Sequence, residues 1–213
     1  MIINDSFPKF DLPIDFIADD SITGDILNYY SNFPCKIKAG VFVLCTEGMV
    51  KATINLLEVV IRKNDFVIVL PNSFIQIHEV SSDTRISFAG FSSDFMLSGN
   101  YVEILLDSMP MILNSPVISL QDDIAGLYRN VYLLLIRAYT LPHSLENKDI
   151  IRSILAIFLQ GTKELYKRYG RKLDEPLRRE QELYRQFIQL LMAHYTSEHE
   201  VAFYAEKCGV TAA

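Results

Sequence analysis

Between residues 35 and 92, short apolar runs alternate with polar turn clusters. Gly40-Val41-Phe42-Val43-Leu44-Cys45 gives way to Thr46-Glu47-Gly48, and further runs cover 50–56, 59–61, 66–70, 74–78 and 85–91. Lys63-Asn64-Asp65, Pro71-Asn72-Ser73 and Ser81-Ser82-Asp83 separate them. Runs rich in β-branched and aromatic residues, bounded by Gly, Asn, Asp, Pro and Ser, predict strands. Turn signals about every ten residues predict a sandwich or barrel. Upstream, Pro8, Pro13 and Pro34 stand among scattered aromatics, so residues 1–34 are expected to form an arm across the barrel, without a long regular element.

After Ser92 the period lengthens. Ser93-Asp94 suits the cap of a short helix reaching Leu105, and Asp122 or Asp123 that of a longer one. In the longer helix Ile124, Leu127, Val131, Leu134 or Leu135, and Ala138 recur at helical spacing until Pro142 ends it. Asn147 precedes a second stripe, Ile150, Ile154, Ile157 or Phe158, Gly161, Leu165 and Tyr169, which stops at Gly170. Residues 171–178 are charged and contain Pro176, as in a linker whose proline opens the next helix. That helix presents Leu183, Phe187, Leu190 or Leu191, and His194. The predicted order is an arm (1–34), a β-barrel (35–92), a helical region (93–170), a linker (171–178) and a further helical unit (179–213).

Composition narrows the class. Half of the 213 residues are hydrophobic, which favours a globular chain with a substantial core. Cys35, Cys45 and Cys208 are odd in number and widely spaced, which suits a reducing cytoplasm. Neither a signal peptide nor an apolar run of about 18 residues is evident, so neither export nor a membrane span is expected. The formal charge of −6 is uneven: residues 1–160 hold 11 Lys/Arg against 18 Asp/Glu, whereas residues 161–213 hold 9 against 8. Because a duplex reader needs a basic face, the acidic front is expected to engage something other than DNA.

The final thirteen residues, Val201-Ala202-Phe203-Tyr204-Ala205-Glu206-Lys207-Cys208-Gly209-Val210-Thr211-Ala212-Ala213, match half of a helix-turn-helix. Counting from Val201, the small Ala205 stands fifth and lets two helices cross closely. Gly209 stands ninth, where the turn takes a positive φ. Tyr204, Cys208 and Val210 fill the apolar positions, and Thr211 would cap the next helix. An ordinary helix ended by a glycine cap is the competing explanation.

Context adds a resemblance. The segment from Arg179 to Tyr195, followed by 201–211, is similar to the opening of the AraC family's DNA-binding domain, where a first helix ends in a His-Tyr-like pair and the next carries Tyr-Ala before the turn. Residues 62–71, Arg-Lys-Asn-Asp-Phe-Val-Ile-Val-Leu-Pro, resemble that family's barrel, and Phe91-Ser92-Ser93-Asp94-Phe95 its barrel-to-helix junction. The resemblance touches residues 36–96 and 179–211. It implies an α+β protein: a cupin-like antiparallel β-barrel (double-stranded β-helix), a helical dimerisation layer and the start of a helix-turn-helix domain. It further implies effector sensing by a homodimer, with promoter DNA bound only by a full-length protein. The sequence departs from the family pattern in stopping before the first recognition helix, so it is expected not to read bases itself. It is either a trimmed form of a longer protein or a natural truncation acting through dimerisation.

Candidate ligand contacts come from strand alternation. Phe74, Gln76 and His78 share a face, and if it points inward Gln76 and His78 would orient a small molecule in an apolar cavity, with Phe42 and Phe88 beside them. Otherwise His78 is a hydrogen-bonded barrel histidine or faces solvent, and the aromatics are core. Phe7, Phe10, Phe16, Tyr29 and Tyr30 either close over an effector or cover a barrel end. Metal-dependent cupins use several histidines, but the barrel region offers only His78, with His143, His194 and His199 elsewhere. No metal, cofactor or enzymatic activity is therefore expected, and Cys45 reads as inert. The alternative is a non-regulatory cupin, an enzyme or small-molecule carrier with a helical tail. The two long helices carry more apolar positions than one face needs, as in Tyr132-Leu133-Leu134-Leu135-Ile136, which predicts either a dimer or a second intramolecular contact.

Overall fold

A computed structural model describes residues 9–28, 31, 33–97, 101–140, 148–169, 179–194 and 197–211. Among the described residues ten strands form two five-stranded sheets. Sheet one has the order β1 (Lys9–Phe10), β3 (Cys35–Ile37), β8 (Ser73–Val80), β5 (Met49–Ile54), β6 (Leu57–Arg62). Sheet two runs β10 (Val117–Ser119), β7 (Asp65–Val69), β4 (Gly40–Glu47), β9 (Arg85–Phe91), β2 (Phe16–Thr23). All neighbours are antiparallel except β1 and β3.

From β4 to β9 the chain passes repeatedly between the sheets, which is the winding of a double-stranded β-helix. The sheets do not close into one hydrogen-bonded barrel among the described residues; they pack as two layers. Gly48 makes one crossing with φ 76°, and a Cβ there would lie 2.5 Å from Thr84 Cα. No side chain fits that turn.

Sheet two is buried on both faces. Cys45, Val67, Val69 and Ile86 meet Val50, Ala52 and Ile54 of sheet one. The alternate residues Phe42, Leu44, Phe66, Ile68, Ala89 and Phe91 face a helical layer. All five residues of β7 are consequently buried, and the strand reads as a continuous apolar run apart from Asp65. The Asp65 carboxylate accepts hydrogen bonds from Arg62 N (2.7 Å) and Ser119 Oγ (2.6 Å), tying β10 to the β6–β7 turn.

The helical layer comprises α2 (Ser93–Leu97), α3 (Tyr101–Asn114), α4 (Asp122–Thr140) and α5 (Lys148–Tyr169). Phe158 of α5 is its hub, with ring centroids 5.0 Å from Phe42, 5.5 Å from Phe66, 5.5 Å from Tyr128 and 5.4 Å from Tyr132. Ser92 Oγ accepts from Phe95 N and so caps α2, one residue ahead of the expected Ser93. Beyond it the single short helix expected to Leu105 is two, because Met109 and Ile112 find core partners and carry α3 to Asn114.

The expected arm is also more regular than its prolines suggested. Pro13 precedes β2, whose residues from Phe16 pair with β9 from Phe91, and a short helix α1 (Gly24–Asn28) follows. The Asp11 carboxylate accepts from Ser93 N and Oγ, fastening this segment to the start of α2. Phe7, Tyr29, Tyr30, His143 and the linker 171–178 lie outside the described residues. Finally come α6 (Arg179–His194) and α7 (Val201–Lys207).

Candidate functional site

The five expected ligand contacts do not converge. Phe42 is 1% exposed on the helix-facing side of sheet two, in a closed aromatic core. Phe74 is 41% exposed on sheet one, with the Lys36 ammonium 5.5 Å from its ring centre. Gln76 is half-buried opposite Thr53, and exposed His78 shares a 2.7 Å hydrogen bond between Nε2 and Thr53 Oγ1. Half-buried Phe88 lies beside Val43 in register. Phe74, Gln76 and His78 thus lie on the outer side of β8, and the inward face belongs to Ile75 and Ile77, which pair with Ile54 and Ala52. The more apolar set takes the interior, and His78 falls where the β5–β8 register slips between Lys51 and Ala52.

A cleft among the described residues lies elsewhere, where α4 crosses one end of sheet two, and has a volume of about 320 Å³. Two irregularities build it. Strand β2 slips register between Asp19 and Ile22, opposite Phe88–Ile86 of β9, and β4 slips between Cys45 and Glu47, opposite Ile86–Arg85, so the two slips flank β9 on either side of Ile86. Bulges re-aim side chains, and Asp20 and Thr46 at these two sites line the cleft. Glu47 ends β4, Lys63 comes from the β6–β7 turn, and Ser87 from β9 between them. Arg129, Tyr132 and Leu133 of α4 complete the wall.

Asp20, Glu47, Lys63 and Arg129 are exposed at this cleft, whereas Ser87 and Tyr132 are buried. Thr46 Oγ1 donates to Arg85 O at 3.1 Å, which leaves its lone pairs toward acceptor use. The Tyr132 hydroxyl is buried with no hydrogen-bond partner among the described residues. Burial, reinforced by neighbouring Tyr128, pushes its phenol well above the usual range, so it remains an O–H donor. An unmade buried hydrogen bond costs about 1–3 kcal/mol.

A second region concerns α6 and α7. Tyr204 and Ala205 are buried, and Tyr204 meets Phe187 of α6 with centroids 5.9 Å apart. Its hydroxyl donates to Glu198 O at 2.7 Å, while Gln186 Nε2 donates to Lys207 O at 3.1 Å. Gly209 takes φ 67°; its N–H donates to Glu206 O (3.0 Å), and Val210 N–H donates to Ala205 O (2.9 Å). This crossed pair is a Schellman motif, which ends α7 sharply and turns the chain. Val210 itself is exposed at 41%.

No protein-family model matches the sequence, and no curated protein matches it. Among solved structures the chain is similar to the AraC-like transcriptional activator CuxR, at 10% identity and TM-score 0.46, over 82% of this chain and 58% of that one. It is also similar to ToxT from Vibrio cholerae, at 11% identity and TM-score 0.38, over 93% and 72%. A shorter likeness, to EutQ from Clostridium difficile, has 14% identity and TM-score 0.28 over 37% and 69%. The chain therefore spans less than two thirds of the CuxR chain.

Among the described residues no three His, Cys, Asp or Glu side chains cluster as metal ligands would. Burial and then the nearby Asp65 carboxylate push the Cys45 thiol up to about 11, and burial also raises Cys35. Of the cleft residues, Tyr132 and Leu133 stood out in the sequence as surplus apolar positions of α4, and the charged ones did not. The available signal was the polar break Asp19-Asp20-Ser21 inside an otherwise apolar segment.

Proposed function

We propose that this chain is the effector-sensing and dimerisation portion of an AraC-type, cytoplasmic transcription regulator. The observation that carries the reading is the α6–α7 unit: Tyr204 buried against Phe187 of α6 beside a buried Ala205, followed by a left-handed Gly209 that ends α7. A helix-turn-helix needs a small residue at that position and such a sharp exit. The unit follows a stretch of net acidic balance, 11 Lys/Arg against 18 Asp/Glu over residues 1–160, which suits a division of labour between sensing and DNA reading. No helix of the described residues is long and apolar enough to cross a membrane.

The helical layer supplies the second element. On α4, Leu127 and Leu134 are 57% and 50% exposed; on α5, Ile150 and Ile157 are 38% and 64% exposed. Each pair is seven residues apart, so each makes one stripe of two turns, as a helix does when it pairs with a second subunit. Ligand binding beside α4 would shift the population of helix arrangements and thereby the separation of two DNA-reading units in the homodimer. Selection from a random-sequence duplex library by the full-length gene product tests the reading. Enrichment of a repeated half-site supports it, and a pool no different from the input refutes it.

A further inference from the structure

The cleft between α4 and the end of sheet two carries an inference about ligand chemistry. Its rim holds two carboxylates, Asp20 and Glu47, and two cations, Lys63 and Arg129. No ion pair joins these four side chains to one another or to any other residue described. Opposite charges placed around one opening and left unpaired are poised for an occupant that carries both signs. A simple anion would meet Asp20 and Glu47, and a simple cation would meet Lys63 and Arg129, at a cost in each case. A neutral sugar can hydrogen-bond to such groups but, like a neutral aromatic molecule, offers none of them a counter-charge.

Ser87 and Tyr132 close the cleft from below and are buried there. The volume of about 320 Å³ stands at the lower end of the ~300–1,000 Å³ range of ligand pockets. The walls come from two bulges in separate strands, one turn and a helix, so the charges are brought together by tertiary structure rather than by a run in the sequence.

We propose that this cleft binds a small zwitterion of the α-amino acid class, its carboxylate toward Arg129 and Lys63 and its ammonium toward Asp20 and Glu47. The binding stands on the cleft alone; its role as the effector event rests on the regulatory reading above. Because Arg129, Tyr132 and Leu133 belong to the helix that also exposes Leu127 and Leu134, occupancy bears directly on the outer stripe.

The test is calorimetric titration of the protein with each of the twenty standard L-α-amino acids. The tightest binder is then compared with its N-acetyl and carboxamide derivatives. Saturable binding is expected, weakened about tenfold or more by removal of either ligand charge. Arg129→Gln should weaken the amino acid about tenfold while making the carboxamide derivative nearly equivalent to it, and Asp20→Asn should do the same for the N-acetyl derivative. Both residues are exposed, so thermal unfolding of the variants should match the parent. No binding by any amino acid at millimolar concentration, or equal binding of the singly charged derivatives, overturns the proposal. Binding without any effect on dimer mass or on DNA selection by the full-length product would leave the site standing and remove its regulatory role.

Discussion

Replacing Phe158 by alanine tests whether sheet two and the helices share one core. Phe158 is 2% exposed and its ring centre lies within 5.5 Å of four others, Phe42, Phe66, Tyr128 and Tyr132. Truncating a buried phenylalanine costs about 3–5 kcal/mol, counting both the lost transfer energy and the cavity left behind. Two of the four neighbours belong to sheet two and two to α4, so neither layer can move in without losing its own contacts. The upper part of the range is therefore expected. For a chain of this length each kcal/mol lowers Tm by about 2–4 °C, so a loss of about 4–5 kcal/mol gives a fall of about 8–20 °C. Urea unfolding followed by far-ultraviolet circular dichroism measures the difference directly. A loss below about 1 kcal/mol would show that the sheet and helices unfold independently and that the ring cluster is not a shared core.

Three further outcomes follow from local geometry. Burial alone would raise the Asp11 carboxyl, but hydrogen bonds from the Ser93 side chain and backbone and from Leu12 N outweigh it and lower its pKa. Its contribution is then fully present above the ordinary carboxylate pKa and lost as pH falls through the lowered folded value. Asp11→Asn should be less stable than the parent at pH 7, with the gap closing toward pH 2 in parallel urea titrations; a gap independent of pH contradicts the assignment. Cys45, pushed up to about 11, should resist a disulfide reagent at pH 8 in the folded protein and react on unfolding, whereas rapid native labelling localised to Cys45 by mass spectrometry would show that its site is open. At Gly209 an added Cβ meets nothing within 4 Å, so Gly209→Ala should cost only the left-handed strain, about 1 kcal/mol, read as faster amide exchange in α7. An unchanged exchange rate would mean that the turn does not hold α7.

Much of the fold was legible because its signals are local. The strands of 40–91 follow from β-branched runs cut by Asn, Asp and Gly, and α4 and α5 from apolar spacing ended near Pro142 and Gly170. Gly209 was recognisable because only a positive φ explains a glycine at that spacing. The face of a strand is harder to assign. Phe74, Gln76 and His78 do share a side, but whether it turns inward depends on which set has more apolar partners across the ladder, and Ile75 and Ile77 have them. β2 was hidden because prolines at 8 and 13 dominate the reading of its neighbourhood, although neither lies in the strand. The cleft was the least accessible, since Asp20, Lys63, Ser87 and Arg129 are far apart in sequence and meet only through two register slips and a helix crossing.

Chromatin immunoprecipitation with sequencing, on the tagged full-length gene product in its native cells, bears most directly on the regulatory reading. Discrete peaks sharing a repeated half-site, changing in occupancy with supply of the cleft's ligand, are predicted. Recovery no greater than from an untagged strain would contradict it.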